Sequence, residues 1–293
     1  PPTNGATYND ATPFLDVPLM GTLFAQRGFR VGYTGKWHLD GGFYNGYGKA
    51  AGGFPQQWWY DGACFKEDIG EETFAGLRRF GGRPFEEKLR IAPTAQDTWA
   101  YRVADRALDF MSDTGPDPFL LSVSFDEPHG PYVCPREFLE AVQVDDIPMR
   151  ENFNASLDGK PFNQQRMASG HSTTPEDVRT YLRYYLACNS FVDSQIGRVL
   201  DAIDYSTTAV IFTSDHGEMM ASHGLWSKGP EMYDEITRVP FIVAAPGVKA
   251  GESASLASHL DIIPTMFDLA GEQIPAHLHG ESLKPVLADN QAR

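Results

Sequence analysis

Three short runs of this sequence carry side chains able to hold an anion, move a proton or ligate a metal ion. Gly32-Tyr33-Thr34-Gly35-Lys36-Trp37-His38 sets an ammonium and an imidazole two residues apart. In extended chain that spacing turns both to one side, which suits an anion; the competing reading is a solvated Lys and an ordinary surface His at a turn. Asp126-Glu127-Pro128-His129-Gly130-Pro131 holds an imidazole between two prolines. A fixed imidazole is what a proton donor or metal ligand requires, and a buried turn His is the competitor. Asp215-His216-Gly217-Glu218 places a carboxylate beside an imidazole, with Gly permitting close backbone approach. Carboxylate oxygen suits Ca2+ or Mg2+, and the imidazole widens the choice to Mn2+ or Zn2+. Lys228, in the Gly-flanked run His223-Gly224-Leu225-Trp226-Ser227-Lys228-Gly229, could return a second ammonium to the same site or stand in solvent.

The elements that must position these groups are short apolar runs: Phe29–Tyr33, Phe119–Phe125, Ala209–Thr213 and Phe241–Ala245. Near-continuous apolar segments of this length read as strands buried on both faces, hence as central strands. They alternate with longer amphipathic stretches, the pattern of an α/β fold with a mainly parallel sheet between helices. The three polar clusters then all follow strands, at the carboxyl edge where open α/β sheets bind ligands. Two helices carry start signals. Thr94 caps a stripe through Trp99, Val103, Ala107 and Phe110 or Met111. Thr174, Pro175 and Asp177 open a second, whose stripe of Val178, Leu182, Tyr185, Val192, Ile196, Val199 and Ile203 predicts a long helix over 175–203. Residues 41–93 and 145–174 have weak periodicity and read as long excursions from the core, a usual seat of specificity. Within the first, Trp58, Trp59, Tyr60 and Asp61 either wall a sugar or aryl group or cover the sheet.

Composition narrows the function classes. The chain has 293 residues, 24 Lys+Arg and 39 Asp+Glu, a formal net charge of −15, so no global basic field gathers nucleic acid or anionic membrane. Any positive charge for an anionic substrate must be local. No apolar run approaches the roughly 20 residues of a membrane helix. Cys64, Cys134 and Cys188 are too scattered for a disulfide framework or a zinc site. No P-loop, dinucleotide-binding turn or Gly-x-Ser-x-Gly elbow is present. Asn154-Ala155-Ser156 fits a glycosylation sequon, a short match of little weight. The first residues, Pro1-Pro2-Thr3-Asn4-Gly5, carry neither an initiator Met nor a signal-peptide pattern, which suggests a processed or internal piece.

Four motifs in order resemble the sulfatase family of the alkaline phosphatase superfamily. Gly32-Tyr33-Thr34-Gly35-Lys36-Trp37-His38-Leu39 is similar to the second sulfatase signature. Thr213-Ser214-Asp215-His216-Gly217-Glu218 through Lys228-Gly229 and Arg238-Val239-Pro240 resembles its metal and lysine segment. Pro128-His129-Gly130-Pro131-Tyr132 and Ser258-His259-Leu260-Asp261-Ile262-Ile263-Pro264-Thr265 match as well. The resemblance implies a large mixed sheet sandwiched between helices and hydrolysis of a small-molecule or carbohydrate sulfate ester. It implies that Asp215 and His216 ligate a divalent metal, Ca2+ in most sulfatases with Mn2+ or Zn2+ as alternatives. Lys36 and Lys228 would neutralise non-bridging sulfate oxygens, His129 would contact the leaving-group oxygen, and His38 would be the base that breaks down the sulfated intermediate.

The family's Cys/Ser-x-Pro/Ala-x-Arg formylglycine signature and its leading aspartate pair have no match here. Residues 1–293 therefore read as a single sulfatase-like catalytic domain truncated at both ends, inactive or nearly so alone. The alternatives are a phosphonate monoester or phosphodiester hydrolase of the same superfamily and a non-catalytic anion-binding fragment. The resemblance suggests a periplasmic or secreted location, with the cytoplasm as the alternative, and leaves the oligomeric state open.

Overall fold

The computed structural model describes residues 12, 16–39, 44–77, 89–113, 115–153, 155–169 and 174–289. Asn154 of the sequon lies outside them. The chain divides into two compact units. One comprises residues 1–148 and 179–202, the other 149–178 and 203–293.

In the first unit the helices are α1 (Met20–Ala25), α2 (Gly62–Ile69), α3 (Glu71–Leu77), α4 (Trp99–Asp113) and α5 (Arg136–Ala141). Its strands are β1 (Arg30–Gly35), β2 (Trp59–Tyr60), β3 (Leu89–Ala92), β4 (Phe119–Ser124) and β5 (Tyr132–Pro135). The strands form a sheet in the order β2-β1-β4 and a pair β3-β5, parallel throughout. The second unit holds α6 (Phe162–Ser169), β6 (Val210–Thr213), α8 (Asp234–Thr237), β7 (Phe241–Ala244), α9 (Ile262–Leu269) and α10 (Lys284–Ala288), with β6 antiparallel to β7. Helix α7 (Pro175–Asp201) starts in residues of the second unit and runs mostly through those of the first. This is the mixed, mainly parallel α/β class that the sequence pattern predicts. No described helix is long and apolar enough to cross a membrane.

Strand β1 is the central element. Gly32 lies directly under the Phe110 ring, where a side chain would collide, so α4 packs flat on the sheet. The helix buries Trp99, Val103, Ala104, Ala107 and Phe110, each large side chain contributing about 1.5–3 kcal/mol. Thr94 and Asp97 form the predicted capping box, but around a 3-10 turn at Ala95–Asp97, and the α-helix itself begins at Trp99. The cap of α7 forms as read: Thr174 N–H donates to Asp177 Oδ2 at 2.9 Å and Asp177 N–H to Thr174 Oγ1 at 3.1 Å. That helix ends at Asp201, close to the predicted 203.

One expectation is corrected. The four predicted strands exist within one or two residues, but only β1 has neighbours on both sides among the described residues. β4 pairs on one side, and β6 and β7 pair only with each other, so most of their side chains are half-exposed despite apolar composition. Of the two readings of the aromatic run in the early excursion, Trp59, Tyr60 and Asp61 take the second and cover the sheet. Trp59 and Tyr60 are β2 itself, Trp59 stacks on Tyr33 at 5.0 Å, and the buried Asp61 caps α2 by accepting from the N–H groups of Ala63 and Cys64.

Gly35 closes β1 at φ 116°, where an added Cβ would run into the Ser124 carbonyl. Gly35→Ala should cost more than about 2 kcal/mol in chemical denaturation, because steric collision adds to backbone strain. Gly28→Ala, at φ 82° with open space around it, should cost only about 1 kcal/mol; equal losses would contradict the close packing of β1 on β4.

Candidate active site

The first unit gathers three predicted residues at the carboxyl ends of β1 and β4. The register sets Gly35 opposite Ser124, and Lys36 N–H donates to the Ser124 carbonyl at 2.8 Å. The Tyr33 hydroxyl donates to the Lys36 carbonyl, so the lysine backbone is held from both sides. Lys36 and His38 thus leave one strand where Asp126 and His129 leave its neighbour. Lys36 Nζ lies 3.3 Å from Asp126 Oδ1. It also sits 4.2 Å from the centre of the Tyr44 ring, a cation–π contact. The Tyr44 hydroxyl donates to that same Asp126 oxygen. The ring of Tyr44 stands edge-on to His38 at 5.4 Å and tilted to His129 at 5.2 Å.

His129 is oriented by its own loop. Its backbone N–H donates to the Asp126 carbonyl at 2.9 Å, and both flanking X–Pro bonds are cis. Its Nδ1 lies 2.8 Å from the Gly130 carbonyl. A carbonyl only accepts, so Nδ1 carries the proton and Nε2 of the neutral ring is the acceptor. Glu127, buried beside it, accepts from Ala100 N–H at 3.2 Å, which sets a carboxylate at the positive end of α4. The loop is therefore fastened to both the sheet and the helix.

In the second unit Asp215 and His216 follow β6. His216 Nδ1 lies 2.8 Å from the Gly217 carbonyl, which again assigns the proton to Nδ1. His216 Nε2 then stands 3.4 Å from Asp215 Oδ2. A Cβ at Gly217 would strike the Glu235 carbonyl, which is the close backbone approach expected of this glycine. His259 Nε2 donates to the Ser214 carbonyl at 2.8 Å, bracing the end of β6. Among the described residues no three of His, Cys, Asp and Glu gather to hold a metal ion, so Asp215 and His216 stand as a pair.

Lys228 ends a tightly wound loop. Met220, Ala221, His223 and Ser227 all have positive φ, between 41° and 68°, a strain that surrounding contacts must offset. His223 stacks on Tyr233 at 4.4 Å, and the Asn152 amide donates to Glu235 Oε1 at 2.9 Å while lying 3.2 Å from His223 Nε2. Burial pulls the Glu235 carboxyl upward, but hydrogen bonds from its own backbone and from Asn152, with His223 nearby, leave it below the usual carboxylate range. Lys228 itself is half-buried.

A family model for sulfatases matches residues 2–272. The chain belongs to the sulfatase family. It is 37% identical to the sulfatase YidJ of Escherichia coli over 289 residues, which is 97% of this chain and 58% of that protein. It is 28% identical to a Delta 4,5-hexuronate-2-O-sulfatase of Bacteroides thetaiotaomicron, over 93% of this chain and 55% of that one. The solved phosphonate monoester hydrolase of Agrobacterium radiobacter shares the fold, with a TM-score of 0.73 at 21% identity, covering 97% of this chain and 64% of that one. This sulfatase chain thus spans little more than half the length of the curated relatives it matches.

Sequence reasoning passed over Tyr44 and gave Asp126 no role. Asp126 was visible as the acid preceding the His129 loop, whereas nothing in the Gly-rich run around Tyr44 marks it. None of the three cysteines has the surroundings of a nucleophile. Burial pushes the Cys64 thiol up to about 11, burial with Glu137 nearby does the same for Cys134 to about 11, and burial raises Cys188. At pH 7.5 Cys64 in the native chain should react with iodoacetamide about 100-fold more slowly than in urea, and faster as pH rises. Rapid labelling of the native thiol at neutral pH would contradict this.

Proposed function

We propose that the whole protein is a sulfuric ester hydrolase acting on a small-molecule or carbohydrate sulfate ester, with residues 1–293 forming part of its single catalytic domain. The observation that carries the reading is the grouping of Lys36, His38 and His129 around Tyr44 at the ends of adjacent parallel strands. The name of the hexuronate-2-O-sulfatase relative favours a sulfated carbohydrate. In this reading Lys36 and Lys228 neutralise sulfate oxygens, fixed positive charge stabilising the charge that develops in the transition state. His129 Nε2, turned away from its own loop carbonyl, meets the leaving-group oxygen and offsets its charge when the ring is protonated and Nε2–H donates, and His38 is the base that releases sulfate from the intermediate. The formylglycine signature has no match in this sequence, so the roles proposed for these residues are charge neutralisation, proton transfer and metal ligation.

Asp215 and His216 suit a divalent cation. A lone pair on His216 Nε2 and an oxygen of Asp215 lie 3.4 Å apart, and two acceptors that close need a proton or a cation between them. Asp215 is well exposed and able to turn toward such an ion. These two residues would supply two ligands, and the ion, Ca2+ with Mn2+ or Zn2+ as alternatives, would add positive charge against the sulfate oxygens. The imidazole ligand and the fold likeness to a phosphonate monoester hydrolase favour one second reading, hydrolysis of phosphonate monoesters.

The test is turnover of 4-nitrophenyl sulfate and of a 4-nitrophenyl phosphonate monoester by the full-length protein. The sulfate ester should be the better substrate, and Lys36→Ala or Lys228→Ala should each lower kcat/KM by about 100-fold or more. Faster phosphonate turnover would select the second reading. Turnover of neither ester, with inorganic sulfate still bound, would mean an anion-binding protein. His216→Ala should weaken calcium binding in a calorimetric titration by about 10-fold or more, and unchanged affinity would remove it from the ligand set.

A further inference from the structure

An anion site loses attraction from any carboxylate placed within it, yet Asp126 stands against Lys36. Its side chain is fully buried, that of Lys36 is 16% exposed, and their charged atoms are 3.3 Å apart. The contact spans two adjacent strands, so it is set by the β1–β4 register and not by local chain geometry. Tyr44 completes it: the hydroxyl donates to Asp126 Oδ1 while the ring face carries the Lys36 ammonium at 4.2 Å. A buried carboxylate held by both a hydroxyl and an ammonium has little freedom to leave.

The electrostatic consequence differs for substrate and product. An ammonium with a carboxylate beside it presents almost no net charge, only a directed dipole with N–H groups left to donate. A sulfate monoester carries one negative charge and the released sulfate two, and repulsion by Asp126 grows in proportion. The pair therefore weakens retention of product more than binding of ester.

We propose that Asp126, held by Tyr44, is the fixed counter-anion of Lys36: a positioning residue that aims the ammonium at the singly charged ester and limits trapping of the doubly charged product. This rests on the sulfatase reading above. Its test is chosen to be separable from that reading: inorganic sulfate is titrated calorimetrically into the full-length protein, and kcat and product inhibition are measured with 4-nitrophenyl sulfate. Asp126→Asn should bind sulfate about 10-fold more tightly and be inhibited by it correspondingly more, while kcat falls about 10-fold because the ammonium is no longer aimed. Tyr44→Phe keeps the ring and loses only the hydroxyl, so it should shift sulfate affinity in the same direction by about 3-fold, and it decides the matter if Asp126→Asn does not fold. A merely structural role would lower kcat and sulfate affinity together. Unchanged or weaker sulfate binding in a folded variant overturns the proposal. A wild-type protein that turns over no sulfate ester would refute the functional reading, while the titration would still decide the role of Asp126.

Discussion

The parallel pairing of β1 with β4, closed at Gly35 against Ser124, is the constraint on which the first unit's chemistry depends. Because both strands run the same way, their carboxyl ends lie side by side, and residues 89 apart in sequence become neighbours. Only a glycine fits where the two backbones meet, and the Lys36 N–H to Ser124 bond of 2.8 Å extends the ladder by one residue beyond the strand. A side chain leaving the chain at that point has its first rotatable bonds anchored to the sheet. The site inherits the rigidity of the sheet and not the looseness of a loop.

What is built on that frame is a compact charge arrangement around one aromatic ring. Tyr44 touches Lys36, His38 and His129 and bonds Asp126, so four polar groups share one hydrophobic spacer. Such a buried pair of charges adds little to stability, since desolvation offsets most of the Coulomb attraction. Its value lies in orientation. The second unit solves the same problem differently, with left-handed backbone before Lys228 and a stacked His223–Tyr233 pair holding the loop.

Much of this was legible in the sequence, for physical reasons that can be named. Strand ends were readable because short apolar runs stop abruptly at Gly and charged residues, as at Gly35-Lys36 and Ser214-Asp215. The α7 cap was readable because its donors and acceptors lie three residues apart. That β4 has a single neighbour among the described residues was not, because apolar composition reports how much a strand wants to be covered and not what covers it. Tyr44 was not legible either. Its importance comes from ring contacts to residues 6, 8 and 85 positions away, and no periodicity records them. Asp126 read as part of the His129 turn, since its partner Lys36 is visible only once the register is known.

The central claim is that the ammonium at the end of β1 is the anchor for a sulfate oxygen. A crystal structure of the full-length protein soaked with inorganic sulfate tests it most directly. The account predicts a sulfate oxygen within hydrogen-bond distance of Lys36 Nζ, with Asp126 still accepting from Tyr44 behind it. A sulfate bound elsewhere, with Lys36 paired to Asp126 and no anion beside it at saturating concentration, would contradict the account.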